Sequence, residues 1–152
     1  TPTSDALQHV NALARLCDIN VAHYNKGYSE GKVIENRPEE NVLLVNVSAN
    51  KNQLVLTAAA IVADRLISKK EAVRPEERTL ISTLAAQLYA IRHGFGAYDE
   101  RVDNNTETQL RARHPDKRLD ILETARRMAI AMSTRTEVPL EETAKEKGET
   151  SA

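Results

Sequence analysis

Tryptophan is absent from this chain of 152 residues, which contains only one phenylalanine and four tyrosines. Sheet-rich domains usually take aromatic and β-branched side chains into their cores. Alanine and leucine, which are strong helix formers, are frequent in this sequence instead. The scarcity of aromatic residues therefore favours a helical fold over a β-sandwich.

Cysteine occurs once, at Cys17, so an internal disulfide bond is excluded. A chain of this length buries roughly two thirds of its unfolded surface and needs no covalent staple. The four histidines, at positions 9, 23, 93 and 114, form no HxxxH or HExxH pair, and one cysteine cannot make a CxxC pair. We therefore predict no metal and no cofactor.

A run of about 20 apolar residues, which a membrane-spanning helix needs, is also missing. The longest run, from Leu54 to Ala63, is interrupted only by Thr57. A helix that is apolar on all sides is usually buried on all sides. We therefore predict the central helix of the fold at residues 52–70 and no membrane partner.

Excess charge of either sign is lacking too, because the formal net charge is −1. The chain as a whole is therefore not a polycation that binds nucleic acid or membrane surfaces nonspecifically. Its first ten residues, TPTSDALQHV, show neither the basic nor the apolar region of a signal peptide. We expect a cytoplasmic protein, or a part of an assembly built in the cytoplasm.

The first long helix is predicted over residues 5–28. Its apolar residues follow one another at spacings of three and four, which is typical of a helix seam; they are Leu7, Val10, Ala14, Cys17, Val21, Tyr24 and Tyr28. Gly27 and Gly31 are its expected stop signals.

The segment Val42–Val47, VLLVNV, allows two interpretations. Pro38 followed by two glutamates is a typical helix start, which favours a short helix. The alternative is a strand that forms a hairpin with residues 53–56. We favour the helix.

Two further long helices follow. Pro75-Glu76-Glu77 opens the first of them, and Gly94 is placed for its C-terminal cap. After a loop over residues 95–105, Thr106 is expected to cap a short helix through Arg113. The last long helix is predicted at residues 116–133. The expected core of the protein comprises Leu7, Val10, Leu13, Cys17, Val21, Val55, Ala58, Ile61, Val62, Leu66, Ile81, Leu84, Leu88, Ile91, Leu122, Ala125, Ala129 and Met132.

The predicted fold is all-α. It is an irregular bundle of four main helices plus one or two short helices, with a minor β-hairpin near residues 42–56 as the alternative. Residues 1–133 form a single helical domain. Residues 134–152 are polar and form an extended C-terminal tail that a partner is expected to hold.

The leading functional hypothesis is a non-enzymatic assembly or adaptor protein, a subunit of a homo-oligomer or a larger complex. Val138 and Leu140, the only large apolar residues of the tail, are its predicted anchor on a protein partner. Phage- and plasmid-type systems use small helical subunits of this kind, which is an analogy at the level of fold.

A nucleic-acid-binding regulator is the first alternative. Arg111, Arg113, Lys117 and Arg118 cluster around Pro115 at the start of a predicted helix, where phosphate groups are often bound. Acidic residues are interleaved with them, and no aromatic residue is present to stack on bases. A solvated face or a protein interface is therefore the favoured interpretation of this stretch.

A metal-dependent enzyme at the loop from His93 to Asp103 is the second alternative. Glu100 and Asp103 form one ExxD motif, and Asp99 is close by. Helical nucleotide hydrolases need a second such motif on a facing helix, and the sequence has none here. These acids are therefore interpreted as a solvated loop, and no catalytic residue is assigned.

Overall fold

The computed structural model describes the backbone of residues 4–25, 33–69, 73–95 and 100–150, and the side chains of residues 5–25, 33–69, 73–95 and 105–136. The elements in chain order are α1 (Ser4–Leu16), β1 (Asn20–Tyr24), β2 (Ile34–Arg37), β3 (Val42–Asn46), α2 (Lys51–Ser68), α3 (Pro75–Arg92), α4 (Glu100–Arg111) and α5 (Pro115–Thr150). The fold is mostly helical, as predicted, but it also contains a small mixed sheet.

The sheet has the strand order β1-β3-β2. Strand β3 is central, because β1 pairs with it in parallel and β2 pairs with it antiparallel. Leu43 and Val45 on β3 are fully buried, whereas Leu44 between them is only half-buried. The short helix predicted at residues 42–47 is therefore wrong. The alternative is confirmed in that residues 42–46 form a strand, but its predicted partner is wrong. Strand β3 pairs antiparallel with β2, whereas residues 53–56 belong to α2.

The helix predicted over residues 5–28 ends at Leu16, and a strand follows it. Asp18 adopts a left-handed conformation with φ 55°. The amide of Ile19 donates to the Ala14 carbonyl at 2.9 Å, and the amide of Asp18 donates to the Arg15 carbonyl at 3.2 Å. This is a Schellman C-cap, which usually has glycine at the left-handed position. The predicted helix is too long because an aspartate occupies the left-handed position here, and an aspartate is a weaker stop signal than glycine.

Helix α2 lies in the core, as its apolar run predicts, but it is not buried on all sides, because Leu56, Thr57, Ala60 and Ile61 are only half-buried. Seven of its residues are buried, namely Leu54, Val55, Ala58, Ala59, Val62, Ala63 and Ile67. The side chain of Asn50 caps its N-terminus by accepting from the amides of Asn52 at 2.8 Å and Gln53 at 3.3 Å. The helix packs against α1 on one side and α3 on the other.

Helix α3 begins at Pro75 and ends in a turn at Gly94, which has φ 81°. Ile81 and Leu84 of the predicted stripe are buried. Leu88 and Ile91 are exposed, so the core prediction is wrong for both. Tyr89 is fully buried instead. The face of α3 that meets its neighbours is thus rotated away from the stripe that spacing alone predicts.

Helix α4 begins at Glu100, so the predicted loop over residues 95–105 is too long. Thr106 is buried within α4 and does not cap its start. Residues 96–99 lie outside the described residues, and so do the side chains of residues 100–104.

Helix α5 continues through Ser133 to Thr150, so the tail predicted to be extended is helical. Ser133 and Thr136 are buried. Their hydroxyl groups break the apolar pattern in the sequence without ending the helix, because Thr136 Oγ1 donates to the Met132 carbonyl one turn earlier, at 2.9 Å. Leu122, predicted in the core, is exposed.

Helices α3 and α5 lie side by side and run in the same direction. Lys117 Nζ is 3.4 Å from Glu77 Oε1 near their N-terminal ends, and Ser133 Oγ is 3.0 Å from His93 Nε2 at the end of α3. Among the helices of the described residues, none is both long and apolar enough to cross a bilayer.

Candidate functional site

The four cations of the predicted nucleic-acid site lie around the turn between α4 and α5. Arg113 Nη1 donates to the Gln109 carbonyl at 2.7 Å, and Arg118 Nε donates to the Arg113 carbonyl at 2.8 Å. Arg118 Nη2 also donates to the Arg111 carbonyl at 3.1 Å. These guanidinium groups therefore bind the carbonyls at the C-terminal end of α4, where the helix dipole favours positive charge.

The other two cations have acidic partners instead. Arg111 pairs with Glu107 on the same helix. Lys117 Nζ lies 3.4 Å from the nearly buried carboxylate of Glu77 and 3.9 Å from Asp120. A phosphate group would have to compete with all of these internal acceptors. Nucleic-acid binding by Arg111, Arg113, Lys117 and Arg118 stays a prediction that the geometry does not favour.

The loop from His93 to Asp103 is only partly described. Asp99 and the side chains of Glu100 and Asp103 lie outside the described residues. His93 follows the last residue of α3, and its ring packs towards α1 and α5. Within the described part of the chain, no group of three or more His, Cys, Asp or Glu residues is arranged to hold a metal ion.

A polar cluster that the sequence did not reveal joins α1, α3 and α5. His9 Nδ1 is 2.7 Å from the Tyr89 hydroxyl oxygen, which is 3.0 Å from Thr136 Oγ1. The rings of His9 and His93 have their centroids 4.7 Å apart, and His93 Nε2 is 3.0 Å from Ser133 Oγ. Three helices that are distant in sequence are thus tied together by hydrogen bonds.

Burial determines the electrostatics of this polar cluster. Desolvation lowers the pKa of His9 below 6.5, against an opposing effect of the Asp5 carboxylate. Tyr89 and Ser133 are fully buried. A buried hydroxyl that bonds a neighbouring helix stabilises the fold and does not reach a substrate, so we interpret the polar cluster as structural.

The stability of the protein is expected to fall as the pH drops below about 6.5 because of His9. Its lowered pKa means that the unfolded chain binds a proton more readily than the folded chain. The stabilisation that neutral His9 contributes is therefore complete above the pKa of His9 in the unfolded chain. It is lost as the pH falls through the lower pKa of His9 in the folded chain. Urea unfolding of the wild type and His9→Gln, measured between pH 7.5 and pH 5, checks this expectation.

The matched control for that measurement is His23→Gln, because His23 is exposed on β1. The loss of stability between pH 7.5 and pH 5 should persist in this variant, because His9 and its partners are left in place. The interpretation is contradicted if His9→Gln retains the full loss of stability between pH 7.5 and pH 5.

Cys17, the single thiol, does not have the environment of a nucleophile. Burial raises the pKa of its thiol, although Lys69, Arg65 and Arg135 act in the opposite direction. A thiol that stays protonated near neutral pH is a weak nucleophile. This agrees with the prediction that Cys17 is a small apolar residue of the core. Its sulfur lies against α2.

A cleft of about 470 Å³ lies between α2, α3 and the turn after β2. Its charged residues already have partners within the fold. Arg78 binds Asp64 through two contacts of 2.7 Å, and Arg65 donates to the side-chain oxygens of Asn41 at 3.1 Å and Asn36 at 3.2 Å. These contacts join α2 to α3 and to the strands, so we assign them a structural role.

The outer face of α5 combines exposed apolar and charged side chains. We call Leu119, Glu123, Arg126 and Ile130 the outer stripe; at about 100° per residue they fall within an arc of about 60° on the helix. Leu119 is 68% and Ile130 is 38% exposed. Nearby on α5, Leu122 is 41% exposed, and on α3 Leu88 and Ile91 are 40% and 67% exposed.

The charged centre of the outer stripe is locally paired. Arg126 donates to both carboxylate oxygens of Glu123, at 3.0 and 2.7 Å, and Arg127 Nε donates to one of them at 3.1 Å. The hydrogen bond from Arg126 is the largest cause that lowers the pKa of Glu123 to about 2. Glu123 therefore carries its negative charge throughout the physiological pH range.

The predicted tail anchor lies on the part of α5 for which only the backbone is described. The backbone at Val138 and Leu140 is helical, and their side chains lie outside the described residues.

Comparison of the chain with known protein families, curated proteins and solved structures found no match.

Proposed function

We propose that this chain is a non-enzymatic assembly or adaptor protein that binds a protein partner through the outer face of α5. The observation that carries this proposal is the exposure of Leu119, Leu122 and Ile130 along one helix. A single exposed leucine is common on protein surfaces, but an apolar set aligned on one helix is typical of an interface.

The length of α5 supports the same proposal. A helix of 36 residues is about 54 Å long, whereas the 18 residues of α3 span about 27 Å. Ser133 and Thr136 contact His93 and Tyr89 at the C-terminal end of α3, and the helical backbone of α5 continues from Thr136 for 14 residues to Thr150. Helices in globular proteins gain most of their stability from packing. A helix of this length therefore offers a long surface on which a partner can pack.

The four cations around the turn between α4 and α5 already bind partners within the chain. This also favours a protein interface over a nucleic-acid interface. Glu123 and Arg126 on the outer stripe present both signs of charge, and a protein surface can match both. The polyanionic backbone of a nucleic acid would be repelled by Glu123. The tail anchor, Val138 and Leu140, remains a second proposed contact with the partner.

Site-specific photocrosslinking in the cells that naturally express the chain tests this proposal. A photoreactive phenylalanine analogue at position 119 should yield an adduct with a second polypeptide, because Leu119 is the most exposed apolar residue of the outer stripe. The same analogue at position 140 tests the tail anchor separately. Denaturing electrophoresis and mass spectrometry identify the adducts.

Position 131 provides the matched control, because Ala131 is exposed on α5 about 120° away from Leu119. No adduct is expected from it. The proposal fails if position 119 yields no more adduct than position 131. A shortened chain used in these experiments should end at Thr136 or later, because Thr136 bonds Tyr89 in the polar cluster.

A further inference from the structure

We infer that the partner on the outer stripe is a second copy of this chain, bound antiparallel, with Glu123 of each copy facing Arg126 of the other. This inference rests on the proposed function and names its partner. It is carried by the order of residues along the stripe, by their exposure and by the signs of their charges.

The outer stripe is symmetric about its own centre. Its residues follow one another at spacings of four, three and four, with an apolar residue at each end and opposite charges in the middle. Leu119 and Ile130 are equally far from the point between Thr124 and Ala125, and so are Glu123 and Arg126. Two-fold symmetric interfaces require a surface that is complementary to itself in this way.

A two-fold axis through that point brings unlike residues together. Leu119 of one copy then meets Ile130 of the other, and this apolar contact forms twice. Glu123 of each copy meets Arg126 of the other, so that the two pairs within the helices join into one network of alternating charges across the axis. Spacings of three and four residues are those with which packed helices face each other along a seam.

The parallel arrangement of two copies is disfavoured by charge. It would place Glu123 beside Glu123 and Arg126 beside Arg126, and like charges that face each other across a helix pair repel. Glu123 stays ionised, since its pKa is about 2, so the repulsion would not be relieved near neutral pH. The charges therefore select the antiparallel arrangement.

The contact is expected to be modest in strength. From Leu119 to Ile130 the stripe covers about 16 Å of helix. Interfaces that bury less than about 1,200 Å² are typical of transient complexes. A dimer in reversible exchange with the monomer, with a dissociation constant on the order of micromolar, is the expected state.

Charge reversal tests the pairing of Glu123 with Arg126. Glu123→Arg and Arg126→Glu should each weaken dimerisation by at least about tenfold, because each substitution places like charges opposite each other twice. The double variant restores opposite charges both between the copies and within the helix. Its dissociation constant in sedimentation equilibrium should return to within about threefold of the wild type.

Disulfide crosslinking tests the register. In a Cys17→Ala background, a protein with Leu119→Cys and a protein with Ile130→Cys should form a crosslink with each other when they are mixed under mild oxidation. Neither protein should crosslink with itself. The antiparallel register is overturned if Leu119→Cys crosslinks with itself and the mixture gives no mixed disulfide.

The two proposals fail in different ways. A wild type that remains monomeric in sedimentation equilibrium up to about 1 mM overturns the second-copy inference. An adduct at position 119 with a polypeptide other than this chain does so as well, while it supports the assembly or adaptor function. A double charge variant that dimerises no better than either single variant overturns the pairing of Glu123 with Arg126.

Discussion

Replacing Tyr89 with alanine is expected to lower the free energy of unfolding by about 3–5 kcal/mol, as truncation of a buried aromatic side chain usually does. Tyr89 is the largest fully buried side chain of the described residues. Its removal leaves a cavity between α1, α3 and α5, and it also removes a partner of His9 Nδ1 and Thr136 Oγ1. Urea or guanidinium unfolding followed by circular dichroism measures the loss.

Two further variants separate the causes of this effect. Tyr89→Phe keeps the ring and removes only the hydroxyl, so it should cost about 1–3 kcal/mol. Leu88→Ala, on the neighbouring exposed position of α3, should cost less than about 1 kcal/mol. Equal losses for Leu88→Ala and Tyr89→Ala would mean that the buried face of α3 is assigned wrongly.

Leu43→Ala is expected to destabilise the protein by about 2–5 kcal/mol, which is the usual range for a buried leucine. Leu43 is fully buried on the central strand β3, where it lies between β1 and β2. The substitution removes packing between the sheet and the helices. It should also loosen the strands that β3 joins, because β3 pairs with both of them.

Leu44→Ala is the matched control, since the residue type is the same and the side chain lies on the opposite face of β3. Leu44 is only half-buried, so a smaller loss, of roughly 1 kcal/mol, is expected. The comparison distinguishes a strand from the helix that the sequence favoured at residues 42–47. Losses of equal size at the two positions would contradict the alternation that the strand requires.

Local signals in the sequence predicted α2 and α3 well. The apolar run from Leu54 places α2 in the core, and the predicted start near Asn52 is within one residue of the observed start at Lys51. Pro75 sits in the first turn of α3, and Gly94 adopts the left-handed conformation after it. These signals act through the dihedral preferences of a few neighbouring residues, so they need no knowledge of the remaining chain.

The candidate site was predicted only in part. Leu122 was assigned to the core and belongs to the exposed surface of α5, because spacing shows that a helix has an apolar face but not how neighbours are arranged around it. Arg113 and Arg118 lie together at the turn between α4 and α5, where their acceptors are backbone carbonyls in the last turn of α4 and just after it. Those carbonyls approach only because α4 and α5 turn at His114.

By itself, then, the sequence determined the mostly helical class, the place of α2 in the core and the bounds of α3, since each depends on residues that are close along the chain. The tertiary structure alone decided the pairing of β1 with β3 and the polar cluster of His9, Tyr89 and Thr136. Partners in these contacts are about 20 to 80 residues apart. These contacts stabilise the protein only after the chain segments between the partners have lost the conformational entropy that loop closure requires.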